Sequence, residues 1–133
     1  MSSLTIFLAR FLGLFMILVV VSFLVRGSAI IAVTVASAPA MLVYAMISLA
    51  IGIAMILGHN VWSGGALPVV VTIIGWLIFA KGVLLLFIKP AALAGLFVGM
   101  HYDDNVYLFL APAFLGGLYL TWAAFTTSRS RGS

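Results

Sequence analysis

Four long apolar runs constrain the fold of this chain more than any other feature. They cover residues 4–25, 39–57, 68–88 and 106–125, and each is close to the roughly 20 residues that a helix needs to cross a bilayer. Only 6% of the 133 residues are charged and the mean hydropathy is +1.40, whereas soluble domains carry about 25% charged residues. The sequence therefore predicts an all-α integral membrane four-helix bundle, with a single four-span domain over residues 1–126 and a polar tail over residues 127–133.

Two shorter apolar stretches follow the first and third runs. Residues 27–38 come after Arg26, and residues 91–100 come after Lys89 and Pro90. Both stretches are too short to cross a bilayer. We predict short segments at the membrane interface in both places, with a partly re-entrant segment as the alternative for the first.

Glycines in the two halves of the chain fall at similar spacing. Gly13 aligns with Gly75 at an offset of about 62 residues, and Gly52 aligns with Gly117 at an offset of about 65. A duplicated helical hairpin would produce this pattern, and both copies would insert the same way up, related by an axis along the membrane normal. Chance alignment of glycines in two apolar sequences is the alternative.

Lys81 is the charged residue that most needs an explanation, because it interrupts the third run. A lysine at the centre of a span costs roughly 2.5–3.5 kcal/mol on insertion scales. Lys81 lies about seven residues, or about 10 Å, from the end of its run. Three interpretations follow: the side chain snorkels to the interface, it pairs with Asp103 or Asp104, or it lines a path for an anion or another substrate.

A second polar group is predicted at the opposite face. Arg10 lies in the first run, and His59, Asn60 and Trp62 follow the second run. Together they could form a pocket for an anion or a lipid headgroup. The simpler interpretation is an anchoring arginine, a hydrated histidine, a helix-capping asparagine and an interfacial tryptophan. Trp76, near the middle of the third run, is interpreted as a packing anchor against a small residue, with a ligand platform as the alternative.

Small residues at helical spacing predict close contacts between helices, because they let two backbones approach each other. Such contacts can close the bundle within one chain, and they can equally form a seam between two copies. The residues predicted to pack in this way are Ser48, Gly52, Gly75, Gly82, Ala113 and Gly117.

Several classes of function lack their residues in this sequence. The chain has no cysteine, and no Asp or Glu lies in any of the four runs. The motifs of nucleophile elbows, metal sites and phosphate-binding loops are not found. We predict a protein that is not an enzyme and that has no cofactor and no metal site. The net charge of +4 comes from six cations and two acids. These are too few cations for a nucleic-acid-binding surface.

The middle of the chain carries a recognisable pattern. Its elements are Pro39-Ala40 with Tyr44, the segment Gly58-His59-Asn60-Val61-Trp62, Gly75-Trp76 and Lys81-Gly82. This pattern resembles a family of small bacterial four-span inner-membrane proteins of unassigned function. The resemblance implies four spans and a location in the bacterial inner membrane, and it brings no activity with it.

Two functions are compatible with these observations. The first is a non-enzymatic structural or accessory membrane protein that self-associates or docks on a larger membrane complex. The alternative is a small transporter or channel for an anion or a phosphate-bearing lipid, lined by Lys81, Arg10 and His59. Positive residues favour the cytoplasmic side, and the loop over residues 59–67 has none, so we expect that loop outside.

Overall fold

The computed structural model describes residues 2–27, 29, 33, 36–101 and 104–129. These residues form five α-helices: α1 Ser3–Arg26, α2 Ala38–Gly58, α3 Ala66–Phe87, α4 Pro90–Gly99 and α5 Val106–Arg129. Helices α1, α2, α3 and α5 are long and apolar enough to cross a membrane. The predicted all-α membrane bundle of four spans is therefore confirmed, and the chain is a multi-pass integral membrane protein.

The helices begin and end where the sequence supplies the right residues. The Ser2 hydroxyl accepts a hydrogen bond from the backbone N–H of Thr5 and caps α1, and Ser37 caps α2 in the same way. Pro90 occupies the first turn of α4, where its missing N–H leaves no helical bond unmade. The predicted segment over residues 91–100 is thus the short helix α4, while most of the segment over residues 27–38 lies outside the described residues.

The spans pack as two antiparallel pairs, α2 with α3 and α1 with α5. Glycines set the close approach in the first pair: a Cβ on Gly52 would lie 2.5 Å from Cα of Phe79, and one on Gly82 would lie 2.6 Å from the backbone nitrogen of Leu49. These distances leave no room for a methyl group. Gly52 and Gly82, two of the small residues predicted to mediate close packing, are therefore used within the chain, while close packing at Ala113 stays a prediction.

One close contact of the first pair recurs in the second. Gly117 of α5 approaches the backbone oxygen of Gly13 and the side chain of Ile17 on α1. If α1 corresponds to α3 at the offset of about 62, Ile17 corresponds to Phe79, which is the residue that Gly52 contacts. In a duplicated hairpin, α1 corresponds to α3 and α2 corresponds to α5. The contact of Gly52 with Phe79 between α2 and α3 is then expected again as a contact of Gly117 with Ile17 between α5 and α1. The packing supports the duplication, which stays a prediction.

The core that joins the two pairs occupies one half of the bundle. We call the side where α1 begins and α2 ends the His59 face, and the opposite side the Lys89 face. The joining cluster lies toward the His59 face and consists of Ala9, Leu12, Met55, Leu67, Val71, Leu120, Ala123 and Ala124. A smaller cluster near the Lys89 face is built around Met41 of α2 and Leu93 of α4, so it does not connect the two pairs.

Candidate functional site

The loop between α2 and α3 brings its polar residues into the bundle. Gly75 of α3 contacts Met55 of α2, so the end of α2 lies beside Thr72 rather than beside the start of α3 at Ala66. The first turns of α3 therefore extend past α2, and the connecting residues run alongside them. This geometry places His59 between helices rather than at the membrane surface.

His59 is buried, with 3% of its surface exposed, and the prediction of a hydrated histidine is wrong. Its Nε2 atom lies 2.8 Å from Oγ1 of Thr5 on α1, and its Nδ1 atom lies 3.2 Å from Oγ1 of Thr72 on α3. Both threonines are themselves buried. The ring thus bridges the α2–α3 pair to the α1–α5 pair by hydrogen bonds on both nitrogens.

The surroundings of Thr72 determine the tautomer of His59. The Thr72 hydroxyl lies 2.9 Å from the carbonyl oxygen of Val61 and 3.0 Å from that of Pro68. Carbonyls only accept hydrogen bonds, so the single hydroxyl proton is directed to them. The same oxygen accepts the N–H of Val61 at 3.0 Å. His59 must therefore donate from Nδ1 to Thr72, which leaves Nε2 of the neutral ring as an acceptor.

The acceptor side of His59 leads toward the His59 face through two hydroxyls. Thr5 donates to Nε2, and its oxygen lies 2.8 Å from the Ser2 hydroxyl. With the Thr5 proton directed to the ring, Ser2 donates to Thr5. The Ser2 oxygen in turn accepts from the backbone N–H of Thr5 at 3.2 Å. The result is a directed chain from exposed Ser2 to the buried ring and on to Thr72.

The side chain of Asn60 accepts hydrogen bonds from two tryptophans. Its Oδ1 atom accepts from the indole N–H of Trp62 at 2.7 Å and from that of Trp76 at 3.4 Å. Trp76 is 42% exposed and stands edge-on to Phe79 at 6.1 Å. The indole N–H of Trp76 thus has a hydrogen-bond acceptor in the loop that follows α2. The packing of Trp76 against a small residue stays a prediction.

Arg10 belongs to the other helix pair. Its side chain is half-buried, and the guanidinium carbon lies 4.5 Å from the ring centroid of Phe125 on α5. A guanidinium over an aromatic face is attracted by the electrons of the ring. The predicted layer of Arg10, His59, Asn60 and Trp62 is thus divided between two places.

Lys81 reaches toward the Lys89 face. Its ammonium lies 5.8 Å from the ring centroid of Tyr44, and its side chain is exposed. Gly82 opposes Leu49, and Tyr44 lies five residues, about 7 Å, nearer to the Lys89 face. This direction agrees with snorkelling.

Pairing of Lys81 with an acid has no support among the described residues. Asp104 forms no ion pair with Lys81 in that part of the chain, and Asp103 lies outside it. The cation–π contact with Tyr44 is the interaction through which the structure holds the ammonium.

Sequence reasoning missed Ser2, Thr5 and Thr72, and it gave Tyr44 no contact with Lys81. Hydroxyl groups inside apolar runs are the signal that could have found Thr5 and Thr72, because a hydroxyl without a partner is costly in hydrocarbon. Within the described ranges, no group of three or more His, Asp or Glu residues could hold a metal ion. The role of the hydrogen-bonded cluster around His59 is therefore argued from the helices that it connects.

An apolar groove of about 250 Å³ lies between α1 and α2, beside this cluster. Phe7 and Phe11 line it from α1, and Ile51 and Ala54 line it from α2. Phe7, Phe11 and Phe15 form a ladder of stacked rings along α1, with centroids 6.3 and 6.1 Å apart. The groove separates the two helix pairs on the surface that faces lipid.

No protein-family model, curated protein or solved structure matches this chain. The function is therefore argued from the contacts described above.

Proposed function

We propose that this multi-pass membrane protein is a non-enzymatic structural or accessory protein of the bacterial inner membrane, and that it works as a self-associating subunit. The location rests on the resemblance carried by the segment from Gly58 to Trp62 and by Gly75-Trp76 and Lys81-Gly82. The mode of action rests on the contacts of the polar cluster and on the groove between α1 and α2.

The hydrogen-bonded cluster around His59 supports a structural role, in which it holds the two helix pairs together. Both nitrogens of His59 and the hydroxyl of Thr72 are engaged in hydrogen bonds that link helices and the loop. A catalytic base needs an approach for its substrate, whereas the ring of His59 is covered by threonines on both sides. The cluster thus stabilises the arrangement of the two helix pairs.

The groove is the single observation that carries self-association. The small-residue seams are closed inside the chain, but the groove between α1 and α2 is open. Beyond the groove on the same face of α1, side chains project from the surface: Phe15 is 54% exposed and Leu18, seven positions after Phe11, is 68% exposed. A two-fold dimer needs hole and projection on one surface of the same chain, and this surface has both. We therefore assign the groove to a second copy.

Filling the groove tests the proposal. Ala54 is exposed and lines the groove, and Ala80 is exposed on α3 away from it. We expect wild type and Ala80→Trp to be dimers in lipid nanodiscs, and Ala54→Trp to be a monomer with at least a tenfold weaker dimer constant. The oligomeric state would be measured by mass photometry across a range of protein-to-lipid ratios.

Two results would overturn the proposal. A wild type that stays monomeric at every ratio removes self-association. An Ala54→Trp variant that dimerises like Ala80→Trp shows that the groove is not the dimer interface. The groove would then be occupied by a lipid acyl chain or another protein.

The alternative function, transport of an anion or a phosphate-bearing lipid, ranks second because its cations do not converge. Arg10 faces Phe125 in the α1–α5 pair, and Lys81 faces Tyr44 on the outer surface of the α2–α3 pair. We expect liposomes with wild type and with Lys81→Met to show equal anion flux. A flux that depends on Lys81 would favour the transporter instead.

A further inference from the structure

The cations of the chain are divided equally between the two faces. On the Lys89 face, Arg26 ends α1 and Lys89 follows α3. Arg129 ends α5 on the His59 face, and Arg131, which lies outside the described residues, follows two positions later in the sequence. Counted by their order along the chain, these four residues give two cations to each end of the bundle.

The two cations inside the spans preserve the balance. Arg10 lies in the half of α1 near the His59 face, and the ammonium of Lys81 reaches toward the Lys89 face beside Tyr44. The count is therefore three against three. Acidic residues contribute little to orientation, so the acids near α5 do not break the tie.

An excess of Lys and Arg on one side is what orients a membrane protein during insertion. With no excess, the two orientations have similar free energies and both are populated. We propose that this chain inserts in both orientations, and that the copy that docks in the groove between α1 and α2 is an oppositely oriented one. The second part rests on the self-association proposed above.

The position of the aromatic ladder gives this dimer a definite geometry. Phe15 is the thirteenth residue of the 24 in α1, so it lies near the middle of the membrane. In an antiparallel dimer the two-fold axis lies in the membrane plane, and Phe15 of one copy meets Phe15 of the other. The groove, which residues 4–12 of α1 line, then faces the second half of the other copy's α1, near residues 18–26. The two Phe7 residues, eight positions away, are then about 24 Å apart along the helix axis.

Accessibility labelling tests the orientation. The chain has no cysteine, so Ser63→Cys in the exposed loop on the His59 face is a unique label. In bacteria that express the protein, we expect a membrane-impermeant maleimide to label about half of the molecules from outside. Added to Ser63→Cys, Lys89→Gln should lower the labelled fraction and Arg129→Gln should raise it, each by at least twofold in the ratio of labelled to unlabelled protein.

Lys81→Met is the matched change inside a span. It should act in the same direction as Lys89→Gln, because the ammonium counts for the Lys89 face. Dual insertion is overturned if more than about nine tenths of the wild type is labelled or protected, or if Lys89→Gln and Arg129→Gln shift the ratio the same way.

Disulfide cross-linking tests the antiparallel partner. We expect Phe15→Cys to cross-link to itself, Phe7→Cys not to do so, and Phe7→Cys co-expressed with Ser22→Cys to cross-link as a pair, because Ser22 lies on the same face of α1 as Phe15. Self-linking of both Phe7→Cys and Phe15→Cys indicates a parallel dimer and overturns the inference, while self-association stands. A dimer in which none of these pairs cross-links also contradicts the antiparallel arrangement. A monomeric wild type contradicts the proposed self-association itself.

Discussion

At the scale of single residues, the bundle depends on one hydroxyl that serves several partners. Thr72 accepts from Nδ1 of His59 and from the N–H of Val61, and it donates toward the carbonyls of Val61 and Pro68. In hydrocarbon these groups have no water to replace a lost partner. Thr72 therefore holds both the loop and the ring in place.

Thr72→Val should destabilise the protein by about 1–3 kcal/mol, because the shape is kept while buried donors lose their acceptor. Thr126→Val is the matched control, since the Thr126 hydroxyl is exposed and bonds only to carbonyls of its own helix among the described residues. Unfolding with a denaturing detergent, followed by tryptophan fluorescence, would measure both. A Thr72→Val variant as stable as Thr126→Val contradicts the role assigned to this hydroxyl.

The sequence predicted which residues were polar, but not where their side chains go. Lys81 and Arg10 were identified because a cation inside an apolar run is costly. His59 was expected at the surface, since it follows a span, and its burial depends on Thr5, which is 54 residues away in the chain. Such a partner follows from how α1 packs on α3, which hydropathy does not encode.

At the scale of helices, glycines decide how closely α2 and α3 approach. Gly52→Ala would place a methyl carbon 2.5 Å from the backbone of Phe79, so the two helices must separate. We expect a loss of about 1–3 kcal/mol, the usual cost of overpacking.

Gly95→Ala provides the comparison for Gly52→Ala. Gly95 lies inside α4, and a Cβ there meets nothing within 4 Å. The variant should be as stable as wild type in the same detergent unfolding. Equal loss in both variants would mean that glycine flexibility, and not close packing, is what matters.

The ends of the spans were predicted well and their partners were not. Each predicted span begins within about two residues of its helix, because the change from polar to apolar residues marks where backbone must enter lipid as a helix. The choice of partners depends on which faces of the helices are complementary. The aligned glycines indicated contact surfaces, yet only the structure pairs Gly52 with Phe79 and Gly117 with Ile17.

At the scale of the whole molecule, the two helix pairs are fastened at one end. In the described part of the chain, the cluster that joins them lies toward the His59 face, as does the bridge from Thr5 through His59 to Thr72. The cluster near the Lys89 face connects α2 to α4, the short helix that follows α3, and not to α1 or α5. Regions with few buried contacts between elements have the lowest local stability, so we expect the two pairs to separate more easily at the Lys89 face than at the His59 face.

Distances between spin labels should reveal this difference. Val25 and Phe87, each 80% exposed, end α1 and α3 at the Lys89 face, and Phe7 and Ile73 are exposed on the same helices near the His59 face. With label diluted by unlabelled protein in nanodiscs, we expect a broader distance distribution for the Val25–Phe87 pair. His59→Ala should broaden the Phe7–Ile73 distribution until the two resemble each other, because it removes the bridge that fastens that end. Equally narrow distributions in the wild type would mean that the pairs form one rigid bundle along their whole length.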